Sequence, residues 1–539
     1  MTTNIDRSSS AEALDSERPT QGIRWWPVKV LLVVVASCQV WLRLFATIDP
    51  AIRNIMAMCL MILAGVFLAL WLAMFSRVER RLRRRILIGG LAVILLTVSV
   101  VRVHGYKGDL TPVFGLRPWV LSLLPGSGSG SSAIEIESTA PVDLTATTPH
   151  DYPQFLGPRR DGVVRGVRLA RDWKVHPPRL LWRRTVGEGW SSFAVVGQHA
   201  VTQEQHGEKE LVVCYELHTG KVCWYHADPA RFPRVDDLGN LGGIGPRATP
   251  TIALGRVVSL GATGILNCLD GATGRRLWSV DILEDNQAKL LQWGQSGSPL
   301  VLGDAVIVNP GGTDSNSLVA YHLDDGRRLY SGGDSRASYS SPMRATLAGV
   351  EQILLVHDAG LSGHDAADGH VLWSHARPPG TPSVTQPVPL AGDRLLIAKG
   401  YGVGCEMLHV EHRGSEISAR SLWNSPLLKT KFSNLVVRDG HAYGFDENLL
   451  TCFSLDKRRA RWKERGFGFG QLLLVGDVLL VQGESGEIAL VDATPRGFRK
   501  LATLEALSER TWNAPALAGR LLLVRNDRQA ACYELPVEP

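Results

Sequence analysis

A closing aromatic residue recurs at near-regular intervals through the C-terminal part of this chain, and that repeat constrains the fold more than any other feature. Tyr215–Trp224 carries Thr219-Gly220 and ends on Trp224. Leu269–Trp278 carries Asp270 and Thr273-Gly274 and ends on Trp278. Tyr321–Tyr330 carries Asp325-Gly326 and ends on Tyr330, and His364–Trp373 carries Asp368-Gly369 and ends on Trp373. Degenerate versions end at Trp423 and Trp462, giving successive spacings of 54, 52, 43, 50 and 39 residues. A period near 40–50 residues belongs to propeller-type arrays, in which each unit is one small sheet.

The interior of each period agrees. A small polar residue, often followed by Pro, opens the unit, as in Ser298-Pro299, Ser341-Pro342 and Gln386-Pro387. Short apolar runs separated by Gly turns follow, which predicts four strands joined by hairpins. Openings fall at Ser191, Thr249, Ser298, Ser341, Gln386, Asn434, Gln471 and Asn513. The eighth unit runs out of chain after three strands. Leu180–Arg184, upstream of the first opening, is expected to supply its fourth strand, because a closed ring leaves no sheet edge exposed. The expectation is an all-β, eight-bladed β-propeller over 151–539, closed by its N- and C-terminal strands. Gly, at 55 residues, fits so many tight turns.

These repeats resemble the pyrroloquinoline-quinone-like (PQQ-like) propeller family, whose docking motif is Ala-x-Asp-x-x-Thr-Gly-x-x-x-Trp. The family includes quinoprotein alcohol dehydrogenases and the non-enzymatic propeller lipoprotein of the barrel-assembly machine. The start of the domain, Tyr152-Pro153-Gln154-Phe155-Leu156-Gly157-Pro158, resembles the leader of membrane-linked propellers from planctomycete-type bacteria. The resemblance implies either a binding scaffold or, as the alternative, a quinone-type ligand or PQQ-dependent oxidoreductase chemistry at the channel mouth.

The dehydrogenase branch requires adjacent cysteines and acidic metal ligands. The sequence has no Cys-Cys pair, and no carboxylate stands at the eight openings. Hard cations need such oxygen ligands. No catalytic residue, metal site or bound cofactor is therefore assigned. Trp190, Arg247, Trp293, Tyr339, Gln386, Asn434, Gln471 and Trp512 sit at or just before innermost strands. They are the candidate ligand or partner residues, lining one channel mouth with stacking faces and hydrogen-bonding groups.

Ahead of the repeats lie three apolar stretches, at 25–46, 55–75 and 86–103, read as transmembrane helices. Between the second and third, Arg77–Arg85 holds six Arg in nine residues. Positive loops stay cytoplasmic, so the expected topology is a cytoplasmic tail (1–24), a three-helix anchor (25–105), a flexible linker (106–150) and an extracytoplasmic propeller at the inner membrane. Protein or envelope-component partners fit that placement. The net charge of +6 is concentrated before residue 150, and the propeller is nearly neutral, which argues against nucleic acid.

Of eight cysteines, Cys214, Cys268, Cys452 and Cys532 share one repeat position and act there as small hydrophobes. Cys214 and Cys223 are equidistant from one hairpin turn and are read as a possible disulfide across it.

Overall fold

A computed structural model describes residues 25–45, 48–121, 123, 134–232, 242–414 and 416–538. The tail 1–24 and the Gly/Ser run 126–132 lie outside them. The chain divides into two compact units. One comprises 1–104 and 114–127, and the other 105–113 and 128–539.

The first unit is helical. Helix α1 spans Trp26–Leu44, α2 spans Pro50–Met74 and α3 spans Arg80–Val100. Pro50 opens α2 at the first helical position, and Asp49 Oδ1 accepts from Ala51 N at 2.7 Å, a standard N-terminal cap. Gln39 Nε2 donates across to Ala57 O at 3.1 Å.

Two of these helices, α1 and α2, are long and apolar enough to cross a membrane; α3 is not, which corrects the expectation of three such helices. The reason is where α3 begins and ends. Its first turn and a half is the arginine run, and at Val101 the chain turns into a strand, Val101–Tyr106. The uncharged part, 86–100, is about 22 Å long at 1.5 Å per residue, against about 30 Å of hydrocarbon.

The second unit is all-β. Its described residues form eight sheets of four antiparallel strands, the seventh with a fifth, parallel strand at its inner edge, counted here by the innermost antiparallel strand: Ala194–Val196, Thr251–Ala253, Leu300–Leu302, Met343–Leu347, Val388–Leu390, Val436–Arg438, Gln471–Val475 and Ala516–Ala518. Within each sheet the strands follow in chain order. The eighth sheet is the exception: its outer strand is Arg179–Thr185, which pairs antiparallel with the C-terminal strand Gln529–Glu534. The buried cores bridge successive sheets. One joins the first and second, another the third and fourth, and the largest contains residues of the seventh, eighth and first.

The closing tryptophans explain this packing. Trp224 Nε1 donates to Gly271 O, in the turn of the next sheet, at 3.0 Å. Trp278 donates to Leu323 O at 2.8 Å and Trp462 to Thr494 O at 2.7 Å. Trp182 of the eighth sheet donates to Leu217 O of the first at 2.8 Å. The turn is built to receive the ring. Asp270 Oδ1 accepts from Thr273 N at 3.0 Å and Thr273 Oγ1 at 2.7 Å, which closes the loop. In the equivalent turn of the first sheet, Gly220 takes φ +70°, and a Cβ there would lie 2.6 Å from Trp182. Only glycine satisfies both demands.

The stretch 134–150 was expected to be linker. It packs instead on the propeller. Val142 and Leu144 are buried among the first two sheets, Glu137 N donates to Val222 O at 2.8 Å, and Leu144 O accepts from Gly255 N at 3.2 Å. Two apolar side chains and an acidic residue beside Arg184 give this segment enough contacts to be held.

Candidate functional site

The eight openings form a polar belt around the inner strands. Ser192 N donates to Thr249 Oγ1 at 3.2 Å, and Thr249 N to Ser298 Oγ at 2.9 Å. Ser298 N donates to Ser341 Oγ at 2.9 Å, Ser341 N to Gln386 Oε1 at 2.9 Å, and Gln386 N to Asn434 Oδ1 at 2.8 Å. Gln471 Nε2 reaches Phe432 O and Trp512 O at 2.8 and 3.1 Å, and Asn513 Nδ2 reaches Ser191 O at 2.7 Å. Innermost strands have an unpaired edge, and a buried N–H without an acceptor is costly. Five of these side chains, from Thr249 to Asn434, accept the N–H of the preceding sheet's edge, Gln471 and Asn513 donate to carbonyls, and the Pro that often follows has no N–H to satisfy. Gln386, Asn434 and Gln471, candidates for a ligand floor, are thus parts of this belt.

The aromatic candidates gather in two groups. Trp190 and Trp512 lie 5.0 Å apart, and the Arg510 guanidinium sits 4.8 and 4.6 Å from their ring centres. Trp512 Nε1 donates to Glu484 Oε1 at 2.8 Å, and Phe432 and Phe469 extend the cluster. Residues 105–113, part of the same unit, cover it. Gly108 N donates to Glu484 Oε1 at 2.7 Å, and Arg510 Nη1 to Tyr106 O at 2.9 Å. This group is filled by its own chain.

The second group stays half-exposed. Trp293 and Tyr339 are 5.6 Å apart, and Tyr339 OH accepts from Trp293 N at 3.4 Å. Arg247 donates to Gly242 O, Gly243 O and Gly245 O at 3.1, 2.9 and 2.7 Å and stacks 5.0 Å from Phe232. Burial pulls its guanidinium down to about 10. Arg510, Glu484, Phe432 and Phe469 escaped the sequence reading because they lie off the repeat openings.

The opposite end of the inner strands is crossed by the leader. Tyr152 exchanges backbone hydrogen bonds with Val195, Pro153 O accepts from Ile252 N at 2.8 Å, and Val163–Val164 adds a short parallel strand to Gln471–Val475. Arg160 is the pin. It is 2% exposed and donates to Gln154 Oε1 at 2.8 Å, Ser298 O and Pro342 O at 3.0 Å each, Thr251 Oγ1 at 3.3 Å, and Pro299 O. Beside it lies a cavity of about 810 Å³, walled by the leader and by the innermost strands of the third to sixth sheets.

Four closing tryptophans, Trp182, Trp224, Trp278 and Trp462, dock onto the turn of the next sheet. The family described as outer membrane protein assembly factor BamB, a PQQ-like family, matches residues 208–464. Those residues are PQQ-like propeller repeats. The chain is similar in structure to a quinohemoprotein alcohol dehydrogenase from Comamonas testosteroni, at 14% identity and TM-score 0.53, over 73% of this chain and 82% of that one. A quinohemoprotein alcohol dehydrogenase from Pseudomonas putida HK5 gives 13% identity and TM-score 0.54, over 74% and 83%. BamB from Moraxella catarrhalis gives 14% and 0.48, over 66% and 98%. No curated protein matches the chain.

All eight sheets share a bulge between the third and fourth strands. The extra residue is Leu in six sheets, Arg461 in one and Cys223 in the first. Cys214, Cys268, Cys452 and Cys532 stand opposite Trp224, Trp278, Trp462 and Trp182, which explains their shared position. Cys214 and Cys223, read as a possible disulfide, are both free thiols. The register pairs Cys214 with Trp224, and the bulge leaves Cys223 out of the ladder. A hydrogen bond from the Cys214 thiol, with His199 beside it, holds the Cys223 thiol down to about 5. Among the described residues, no three His, Cys, Asp or Glu side chains are grouped to hold a metal ion.

Proposed function

We propose that this protein is a membrane-anchored binding scaffold: an eight-bladed PQQ-like propeller, closed by pairing of its two ends, that presents one channel mouth to a protein or envelope component. The observation that carries the reading is the half-exposed cluster of Trp293, Tyr339 and Arg247. Aromatic and arginine side chains are the usual anchors of protein interfaces, and each can contribute about 2 kcal/mol or more when a partner buries it. Glu484, in the covered group, is committed to Trp512, Gly108 and Phe469. The family match to an assembly factor supports a scaffold role.

Anchoring rests on α1 and α2. Two crossings return the chain to the side of the N-terminus, and the extracytoplasmic placement expected from the arginine run would need a third crossing that α3 is too short to make.

The test is capture from crosslinked membranes with the full chain. Trp293→Ala should lower recovery of the main partner at least about tenfold while the melting temperature holds, whereas Arg247→Ala, which also strips three carbonyls of their donor, should lower both. Unchanged recovery would move the interface elsewhere. Reporter fusions after Leu110 decide the side: with two crossings a cytoplasmic reporter should be active, and activity of an exported reporter alone would mean a third crossing.

A further inference from the structure

Each innermost strand ends its sheet, so one edge of its backbone is left to be paired. In the first, second and seventh sheets the leader takes that edge, always at the residue before the strand's last. Val195 N donates to Tyr152 O at 2.8 Å, Ile252 N to Pro153 O at 2.8 Å and Leu474 N to Gly162 O at 2.9 Å. At the seventh sheet this is a strand addition, with Val163–Val164 running parallel to Leu474–Val475. Arg160 takes two further edge groups, Pro299 O and Pro342 O, just ahead of the third and fourth inner strands.

The leader goes no further. The matching residues of the third to sixth sheets are Val301, Thr346, Pro389 and Val437, and all four wall the cavity. Pro389 has no N–H to offer. The longest of these edges is Met343–Leu347, with five residues against three in each of the others. Its register fixes which groups face the cavity. Ala348 and Gly349, at φ +50° and +74°, make the tight hairpin turn between Leu347 and Val350. That closing pair is hydrogen-bonded, and bonding alternates along an antiparallel ladder. The N–H and C=O groups of Thr346 and Arg344 therefore point away from Val350–His357, and no group among the described residues takes them. Both residues are exposed. A free strand edge is a template for another chain.

Charge narrows the occupant. The cavity carries Arg159, Arg160, Arg165 and Arg344 against one carboxylate, Asp161. Its volume, about 810 Å³, lies within the roughly 300–1,000 Å³ of ligand sites.

We infer that this cavity binds an extended acidic peptide segment of a partner protein, which adds as a strand to the free edge of Met343–Leu347 as Val163–Val164 adds to the seventh sheet. Main-chain hydrogen bonds to Arg344 and Thr346 hold it, its acidic side chains meet the arginine excess, and alternate apolar ones face Leu302 and Val388. The site lies at the leader end and is independent of the mouth.

The test is calorimetric titration of the full chain in lipid nanodiscs with acetyl-Val-Glu-Val-Glu-Val-amide, with empty nanodiscs as the blank. The peptide should bind one per chain, at least about tenfold tighter than its lysine analogue acetyl-Val-Lys-Val-Lys-Val-amide. A strand on an edge turns alternate amides to the protein. Of two further peptides, one N-methylated at both glutamates and one at all three valines, a single one should lose at least about tenfold, and the other should stay within about threefold of the parent. Thr346→Pro sets at this edge the residue that the fifth sheet carries at Pro389. It should weaken the acidic peptide at least about fivefold by removing one donor. Should that variant melt lower, the methylated pair decides, because it leaves the protein unaltered. No binding at millimolar concentration, equal binding of the lysine peptide, equal effects of the two methylation patterns, or full affinity in a folded Thr346→Pro would each overturn the inference.

Discussion

The backbone N–H of Ser298 donates to Ser341 Oγ across the gap between the third and fourth sheets, at 2.9 Å. The same bond, with Ser, Gln or Asn as acceptor, links five successive inner-strand openings from Thr249 to Asn434. Neighbouring sheets are thereby joined at these inner edges by one polar side chain each, and at four outer edges by an indole.

Removing one belt acceptor leaves a buried N–H unpaired. Ser341→Ala should destabilise the propeller by about 1–3 kcal/mol, whereas Thr249→Ser, which keeps its hydroxyl, should stay within about 1 kcal/mol. Urea denaturation of the two variants checks the contrast. Equal losses would mean that the belt bonds add nothing beyond packing.

At the outer edge, Trp373 is 4% exposed and donates to Gln352 Oε1 at 2.7 Å. Trp373→Ala removes a large buried ring and orphans that amide, so a loss of about 3–5 kcal/mol is expected. A loss below about 1 kcal/mol would contradict a docking role.

Arg179–Thr185 completes the eighth sheet and carries Trp182, which docks on the first. Deleting these residues from the full chain should lower the single melting transition of the whole propeller, by more than about 4 kcal/mol at constant temperature. An unchanged transition would refute closure by the two ends.

The Cys223 thiol supplies a pH test. Its folded value, about 5, lies below the ordinary value of about 8.5. A depressed acid contributes stability that is full above the unfolded value and is lost as pH falls through the folded one. Relative to Cys223→Ser, the wild type should therefore lose stability between about pH 8.5 and about pH 5. Iodoacetamide should label Cys223 ahead of Cys214 at pH 6, a preference that His199→Ala reduces. Equal labelling of the two would remove the thiolate.

Some of this was legible in the chain alone. The spacing of Trp224, Trp278, Tyr330 and Trp373, the Thr-Gly turns and the polar openings are local signals that repeat, and repetition marks them out of the background. Each sheet is built from consecutive hairpins, so strand order follows from sequence order. Even the strand contributed from upstream, at 179–185, is legible from the unit that ends one strand short.

The sites were not legible in the same way, because they are made by residues that are far apart in the chain. Arg160 meets Ser298, Pro299 and Pro342 through contacts spanning about 140 to 180 residues, and no period announces it. Arg510, Trp190, Trp512 and Glu484 come from three sheets and from none of the repeat's fixed positions except by adjacency. Gln386 shows the division within one side chain. Its place at a strand opening follows from the repeat, and its Oε1 follows the belt. That its Nε2 should be left without an acceptor is decided only when the sheets pack around it. Sequence determined this protein's architecture because hairpins and docking turns are short-range and periodic. Tertiary structure decided which charges and donors meet, because burial and unpaired groups are properties of the assembled ring.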